Sequence, residues 1–261
     1  MTNKITKLPS LSIFFPAYNE AGNIEESVLQ ALTMAQRVAD QYEVIVVNDG
    51  SQDATLSVAR RLARQHKNVK VVSQKNTGYG GALKKGFNTS RYEWVFFTDA
   101  DLQFDITELA HFVKKAKRYQ LILGYRKIRA EGWKRQVFAD LLRIWNRIFL
   151  GFPFQIKDID CAFKLIHRSV VEKVSPLLSN GAMVSTELLL KAHLAKVKYC
   201  QIGVAHYQRS SGQPSGNEVK VILRAVLDTF HLQSRLFSHR AYQRIQAQKA
   251  MLVSALALYT K

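Results

Sequence analysis

Short runs of β-branched and aromatic residues alternate with amphipathic stretches over the first half of the chain, the pattern of βα units wound around a mainly parallel sheet. The runs predict strands at Ser12–Phe15, Glu43–Val47, Val69–Ser73, Trp94–Thr98 and Leu121–Gly124. Between them apolar residues recur at helical spacing, as in Leu56, Ala59, Leu62 and Ala63, and predict helices over Ile24–Ala39, Ala54–His66, Gly81–Asn88 and Ile106–Arg118. Polar or acidic residues stand directly behind strand ends: Asn19 and Glu20 after the first, Asn48 and Asp49 after the second, Asp99 and Asp101 after the fourth. Open α/β sheets bind ligands at the carboxyl ends of their strands, so these loops are expected to share one cleft.

The second half changes character. It carries a basic amphipathic stretch from Gly132 to Leu150, a strand-like Cys161–Ile166, a helix near Thr186–Ala195 and a Gly/Ser-rich loop at Ser210–Gly216. A helical tail with Lys220, Arg224, Arg235, Arg240, Arg244 and Lys249 follows, which divides the chain into a main domain over 1–216 and a basic helical extension over 217–261.

Composition narrows the class. The 261 residues suffice for one large buried core at a usual domain size of roughly 150 residues. Cys161 and Cys200 are too few for a disulfide scaffold or a four-ligand zinc site, and they fit a reducing compartment. The net charge of +18 draws the chain toward polyanions: nucleic acid, phosphorylated ligands or anionic lipid. The amino terminus does not read as a signal peptide, and no run reaches the ~18 apolar residues of a membrane span. A cytoplasmic protein, peripheral at a membrane face, is the expectation.

Asp99-Ala100-Asp101 places two carboxylates at the end of a buried strand, an arrangement suited to Mg²⁺ or Mn²⁺, which completes its shell with water and phosphate oxygens. Turn or capping aspartates are the plainer alternative. In Asn48-Asp49-Gly50-Ser51, Asp53 is the better helix cap, which leaves Asp49 to accept from a ligand such as a base N–H. Gly78, Gly80, Gly81 and Gly86 lead into a helix and either admit a phosphate to backbone N–H groups or make a tight strand-to-helix connection.

In order along Leu11 to Gly216 stand Phe15-Pro16-Ala17-Tyr18-Asn19-Glu20, Val47-Asn48-Asp49-Gly50-Ser51, the Asn76 to Gly86 segment, Thr98-Asp99-Ala100-Asp101-Leu102-Gln103 and Gly124-Tyr125-Arg126. Lys157-Asp158-Ile159-Asp160-Cys161-Ala162-Phe163-Lys164-Leu165 and His206-Tyr207-Gln208-Arg209-Ser210-Ser211-Gly212 complete the set. Together they resemble the family 2 glycosyltransferases of GT-A type, most closely the dolichol-phosphate mannosyltransferase and polyprenyl-phosphate glycosyltransferase group. The resemblance implies a GT-A fold and metal-dependent, inverting transfer of a hexose from a GDP- or UDP-linked sugar to a polyprenyl phosphate. It places the nucleotide on Pro16, Ala17, Tyr18, Glu20, Asp49, Gly78 and Asp99, and the metal, Mg²⁺ or Mn²⁺, on Asp99, Asp101 and Gln103. Arg126, Arg135 and Arg209 would face the acceptor phosphate, with Asp99, Asp101, Asp158, Arg126 and Arg209 as the catalytic set. Ala162 stands where many relatives have Gly, and Gln213-Pro214-Ser215-Gly216 where dolichol-phosphate enzymes read Ser-Lys.

A lipid phosphate is already anionic near neutral pH and attacks without a base, whereas a lipid-headgroup or saccharide hydroxyl would call on Glu187 or Asp160. Glu187 has the alternative of an ordinary helix carboxylate. Val137, Leu141, Ile144, Trp145, Ile148 and Phe149 share a side of the basic stretch with Lys134, Arg135, Arg143 and Arg147 around it, as in a helix lying on an anionic membrane surface or packing on the sheet. The apolar end Ala250–Tyr259 fits docking on the protein, a homo-oligomer or a membrane contact. Strand-end acids rather than an aromatic-basic strip occupy the expected cleft, so nucleic acid is not an expected partner. A non-catalytic relative that binds nucleotide sugar or lipid is the remaining reading.

Overall fold

The computed structural model describes residues 7–127, 155–181, 183–208 and Ser234. The basic stretch 132–150, the loop 210–216 and the extension 217–261 lie outside the described residues, as do Arg135 and Arg209.

Ile13 and Phe15 of β1 (Leu8–Ala17) join one buried cluster and Phe14 the other, because successive strand side chains alternate between faces. β2 (Ala39–Asp49) divides likewise, with Val44 and Val46 on one side and Ile45 and Val47 on the other. A sheet buried on both faces requires helices on both, and the chain supplies them. α1 (Ile24–Val38), α2 (Thr55–Gln65) and α4 (Leu109–Lys115) cover one face. α3 (Tyr79–Thr89), α5 (Arg168–Val174) and α6 (Met183–Leu194) cover the other.

With β3 (Val69–Gln74), β4 (Trp94–Phe97), β5 (Leu121–Arg126), β6 (Lys164–His167) and β7 (Tyr199–Val204), the described strands form one sheet of order β3-β2-β1-β4-β6-β5-β7. It is parallel except for β6, which runs antiparallel to both β4 and β5. The architecture is the GT-A type α/β fold expected from the sequence. Strand order reverses between β1 and β4, so the crevice outside their carboxyl ends is the natural ligand position. Tyr18 and Asn19 leave β1 there, and Asp99 follows β4.

Local pattern misplaced some boundaries. The helix expected over Ile106–Arg118 is a 3₁₀ turn at Ile106–Glu108, opened by the Asp105 carboxylate accepting from the Thr107 amide at 2.8 Å, followed by the short α4. The strand expected at Cys161–Ile166 begins at Lys164. Two elements were not anticipated. α5 is two turns long and is capped by His167, whose ring accepts from the Ser169 amide. β7 interleaves Gln and Gly with its apolar residues and is held through its ladder with β5. Among the described residues, no helix is long and apolar enough to cross a membrane.

Candidate active site

The loops after β1 and β2 are stitched into one wall. Asn19 adopts φ +57°, and its amide donates to Ser51 Oγ at 3.0 Å while its Oδ1 accepts from the Gln52 amide at 2.8 Å. The Glu20 amide donates to Thr55 Oγ1 at 2.8 Å, and the Ala21 amide to Asp53 Oδ2 at 3.1 Å. Burial works to raise the Asp53 carboxyl, but donors from Thr55 and Ala21 outweigh it and hold it below the usual range. Pro16 and Ala17 are buried in the strand end, whereas Tyr18 is 41% exposed. The Glu20 carboxylate accepts from Asn23 Nδ2 at 2.8 Å.

Asp49, buried at the end of β2, organises the next segment. Its Oδ1 accepts from Gln74 Nε2 at 2.8 Å, the Thr77 amide at 3.0 Å and Thr77 Oγ1 at 3.1 Å. Oδ2 takes none of these bonds. Gly78 then turns the chain at φ +82°, a conformation that glycine adopts without strain. The Gly80 amide, which the sequence offered to a phosphate, donates instead to Asn180 O at 2.8 Å.

Across the crevice, Asp101 is buried and its Oδ1 accepts from the Gln103 amide at 3.2 Å. Leu102 between them lies at φ +60°, a left-handed conformation strained for a branched side chain. Gln103 Nε2 donates to Tyr207 O at 3.0 Å and the Tyr207 amide donates to Gln103 O at 2.9 Å. These two bonds bring the segment after β7, with His206 and the exposed Tyr207, to the aspartate turn. The half-buried Asp99 sits beside Tyr79, whose hydroxyl bonds to it. Burial first, then the charge and hydrogen bond of Asp99 and the charge of Asp160, push the Tyr79 phenol well above its ordinary range, so it stays a neutral donor. Tyr79 was not singled out in the sequence, where it reads as one more residue of a glycine-rich turn.

Arg126 and Asp158 form a bidentate pair at 2.8 Å (Nε to Oδ2) and 2.9 Å (Nη2 to Oδ1), and the Arg126 amide also donates to Oδ2 at 3.2 Å. Both side chains are nearly inaccessible, so the pair clamps the Asp158 segment onto the end of β5. Asp160, two residues on, is exposed. Lys164 is fully buried, with Nζ donating to Ile159 O at 3.1 Å and to Cys161 O. Burial lowers its pKa, against the raising effect of Cys161, Asp160, Asp158 and Asp99. Burial also pushes the Cys161 thiol up to about 12, which makes it an inert core residue.

Glu187 faces away from solvent altogether. It is 0% exposed; its oxygens accept from the Leu178 and Ser179 amides and face Lys191 Nζ at 2.7 Å. Burial raises its pKa, but Lys191 and the two amides outweigh that and keep it ionised. It holds a loop.

Among the described residues, no three His, Cys, Asp or Glu side chains converge into a metal cage. Asp99, Asp101 and the amide oxygen of Gln103 are hard oxygen donors, which fits an Mg²⁺ or Mn²⁺ ion that draws its remaining ligands from water and phosphate.

The family model described as glycosyl transferase family 2 matches residues 12–175. Glycosyltransferase AglD of Haloferax volcanii is 27% identical over 231 residues, covering 83% of this chain and 35% of that protein. The undecaprenyl-phosphate 4-deoxy-4-formamido-L-arabinose transferase of Edwardsiella ictaluri is 25% identical, covering 81% and 64%. The dolichyl-phosphate beta-glucosyltransferase of Saccharomyces cerevisiae is 25% identical, covering 76% and 67%. The chain therefore spans about two thirds or less of the length of these relatives. Glucosyl-3-phosphoglycerate synthase from Mycobacterium tuberculosis, solved with Mn²⁺, UDP and glucosyl-3-phosphoglycerate, superposes with TM-score 0.68 at 19% identity, over 86% of this chain and 79% of that one. The relatives are diverse within one family and do not single out a dolichol-phosphate mannosyltransferase.

Proposed function

The chain belongs to glycosyl transferase family 2, and from that premise we propose an acceptor and a division of labour for its transfer of a sugar from a nucleoside-diphosphate donor. The donor lies across the carboxyl ends of β1, β2 and β4. Tyr18 and Asp49 Oδ2 face the nucleoside, the latter accepting a base N–H. Asp99, Asp101 and Gln103 would hold the divalent ion. That ion, when bound, offsets the diphosphate charge and eases departure of the nucleotide.

The acceptor is a hydroxyl, of a saccharide or a lipid headgroup, and Asp160 takes its proton. The observation behind this choice is the contrast among carboxylates: Asp158 is locked to Arg126 and Glu187 is fully buried, while Asp160 is exposed and electrostatically coupled to Tyr79 beside Asp99. As the acceptor oxygen bonds to the anomeric carbon, the bond from that carbon to the diphosphate breaks. The nucleoside diphosphate leaves with the electron pair, and the configuration inverts.

A second reading has support of its own. Two of the relatives are named for undecaprenyl or dolichyl phosphate, and a phosphate acceptor needs no base. In that case Arg135 and Arg209, both outside the described residues, would meet the acceptor phosphate, since Arg126 is already paired with Asp158. The +18 charge would then serve an anionic membrane surface.

Asp160→Asn separates the two. With a hydroxyl acceptor, turnover is expected to fall by about 10²-fold or more with donor affinity intact. Turnover onto a polyprenyl phosphate that survives the substitution would establish the second reading.

A further inference from the structure

Glu187 has the position of a helix carboxylate in the sequence and the environment of a clamp in the structure. Its Oε1 accepts from the Leu178 amide at 2.9 Å, and its Oε2 from the Leu178 and Ser179 amides at 3.0 and 2.8 Å. Lys191 Nζ, 2.7 Å from Oε1, also donates to Pro176 O at 2.6 Å. The segment between α5 and α6 is therefore tied to α6 through both its carbonyl and its amide groups.

That segment in turn rests on the glycine turn. Asn180 O accepts from the Gly80 amide, and Asn180 Oδ1 accepts from Lys84 Nζ. A Cβ at Gly80 would lie 2.5 Å from Ser179 O, and one at Gly78 2.8 Å from Asn180 O, so no larger residue fits at either position without displacing backbone. On its other side the turn runs from Thr77, bonded to Asp49, to Tyr79, beside Asp99. The turn thus bridges the carboxylates on the two sides of the donor cleft.

We infer that Glu187 is a positioning residue for the nucleoside-diphosphate donor, clamping residues 176–180 against the Gly78–Gly80 turn and so fixing Asp49 relative to Asp99. The inference rests on the donor half of the reading above and is independent of the acceptor. Asp160→Asn reports on the acceptor alone, so the two fail separately.

The test is calorimetric titration of the full chain with UDP and with GDP, each with Mn²⁺, on wild type, Glu187→Gln, Lys84→Met and the double variant, well below each Tm. Glu187→Gln is expected to weaken nucleotide binding about tenfold, on the scale of one charge-assisted hydrogen bond, and Lys84→Met about threefold. Because both act through the same loop, the double variant should bind no more weakly than Glu187→Gln alone. Amide exchange should accelerate together in 76–83 and 176–181, while turnover at saturating donor stays within about threefold of wild type. Should Glu187→Gln fail to fold, Lys84→Met carries the same comparison. Wild-type nucleotide affinity in a folded variant, faster exchange confined to 176–181, or a wild type that binds neither nucleotide overturns the inference. Intact nucleotide binding with lost turnover in Glu187→Gln also overturns it, and makes Glu187 a base.

Discussion

Glu43 shows what a single buried charge does away from the cleft. Its Oε1 accepts from Ser12 Oγ at 2.7 Å and the Arg91 amide at 2.9 Å, and its Oε2 lies 2.9 Å from Lys70 Nζ and 3.3 Å from Arg91 Nε. Burial raises the carboxyl, but Lys70, Ser12 and the Arg91 amide outweigh it, so its folded pKa lies below the unfolded value. The stabilisation is therefore complete above the unfolded pKa and is lost as pH falls through the folded one. Glu43→Ala should cost about 3 kcal/mol at neutral pH, since it leaves two cations and two donors without their acceptor. In urea titrations the gap between wild type and variant should narrow in acid; a gap constant with pH would refute the assignment. Little of this was legible beforehand, because Glu43 reads as the first residue of an apolar strand and its four partners come from three other segments.

At the level of elements, α3 is the piece whose placement matters most to the site, since its first residue carries Tyr79 toward Asp99. Its distance from the sheet is set by Gly86, where a Cβ would stand 2.4 Å from ring carbons of Phe14. Phe14 cannot yield easily, because it is packed against Phe87 and Phe97 at centroid distances of 5.2 and 5.4 Å. Gly86→Ala gains up to about 1 kcal/mol of helix propensity but forces that aromatic cluster apart at a cost of about 1–3 kcal/mol. A lowered Tm is the expected result; a raised Tm would mean that propensity governs this position instead of packing. The helix was legible from its periodicity, though two residues late. Tyr79 looked like loop, and it is helical because Gly78 turns the chain and Asn180 engages the Gly80 amide.

For the whole molecule, the site is assembled from segments far apart in sequence, and binding should report on their assembly. UDP or GDP with Mn²⁺ is expected to raise Tm, by the equivalent of about 2.7 kcal/mol at a hundredfold excess over Kd. EDTA, or Asp101→Asn, should remove most of that shift while leaving the ligand-free midpoint nearly in place. A full shift in EDTA would show that the nucleotide binds without the ion. The antiparallel β6 serves this assembly: it places the Asp158–Lys164 segment beside the aspartate turn, with Arg126 closing onto it from β5.

Local sequence determined the class of fold, the first five strands, their helices and the positions where polar residues follow strand ends. Those features depend on neighbours in the chain, through alternation, helical periodicity and turn chemistry. The tertiary structure alone decided which of the nominated carboxylates are buried and which face solvent. Asp158 and Glu187 carry the same charge as Asp160 in the sequence, yet one is locked to Arg126, one clamps a loop and one is exposed. Burial and hydrogen-bond satisfaction arise between distant segments, and so does the placement of β7, which pairing with β5 supplies. No local pattern encodes them.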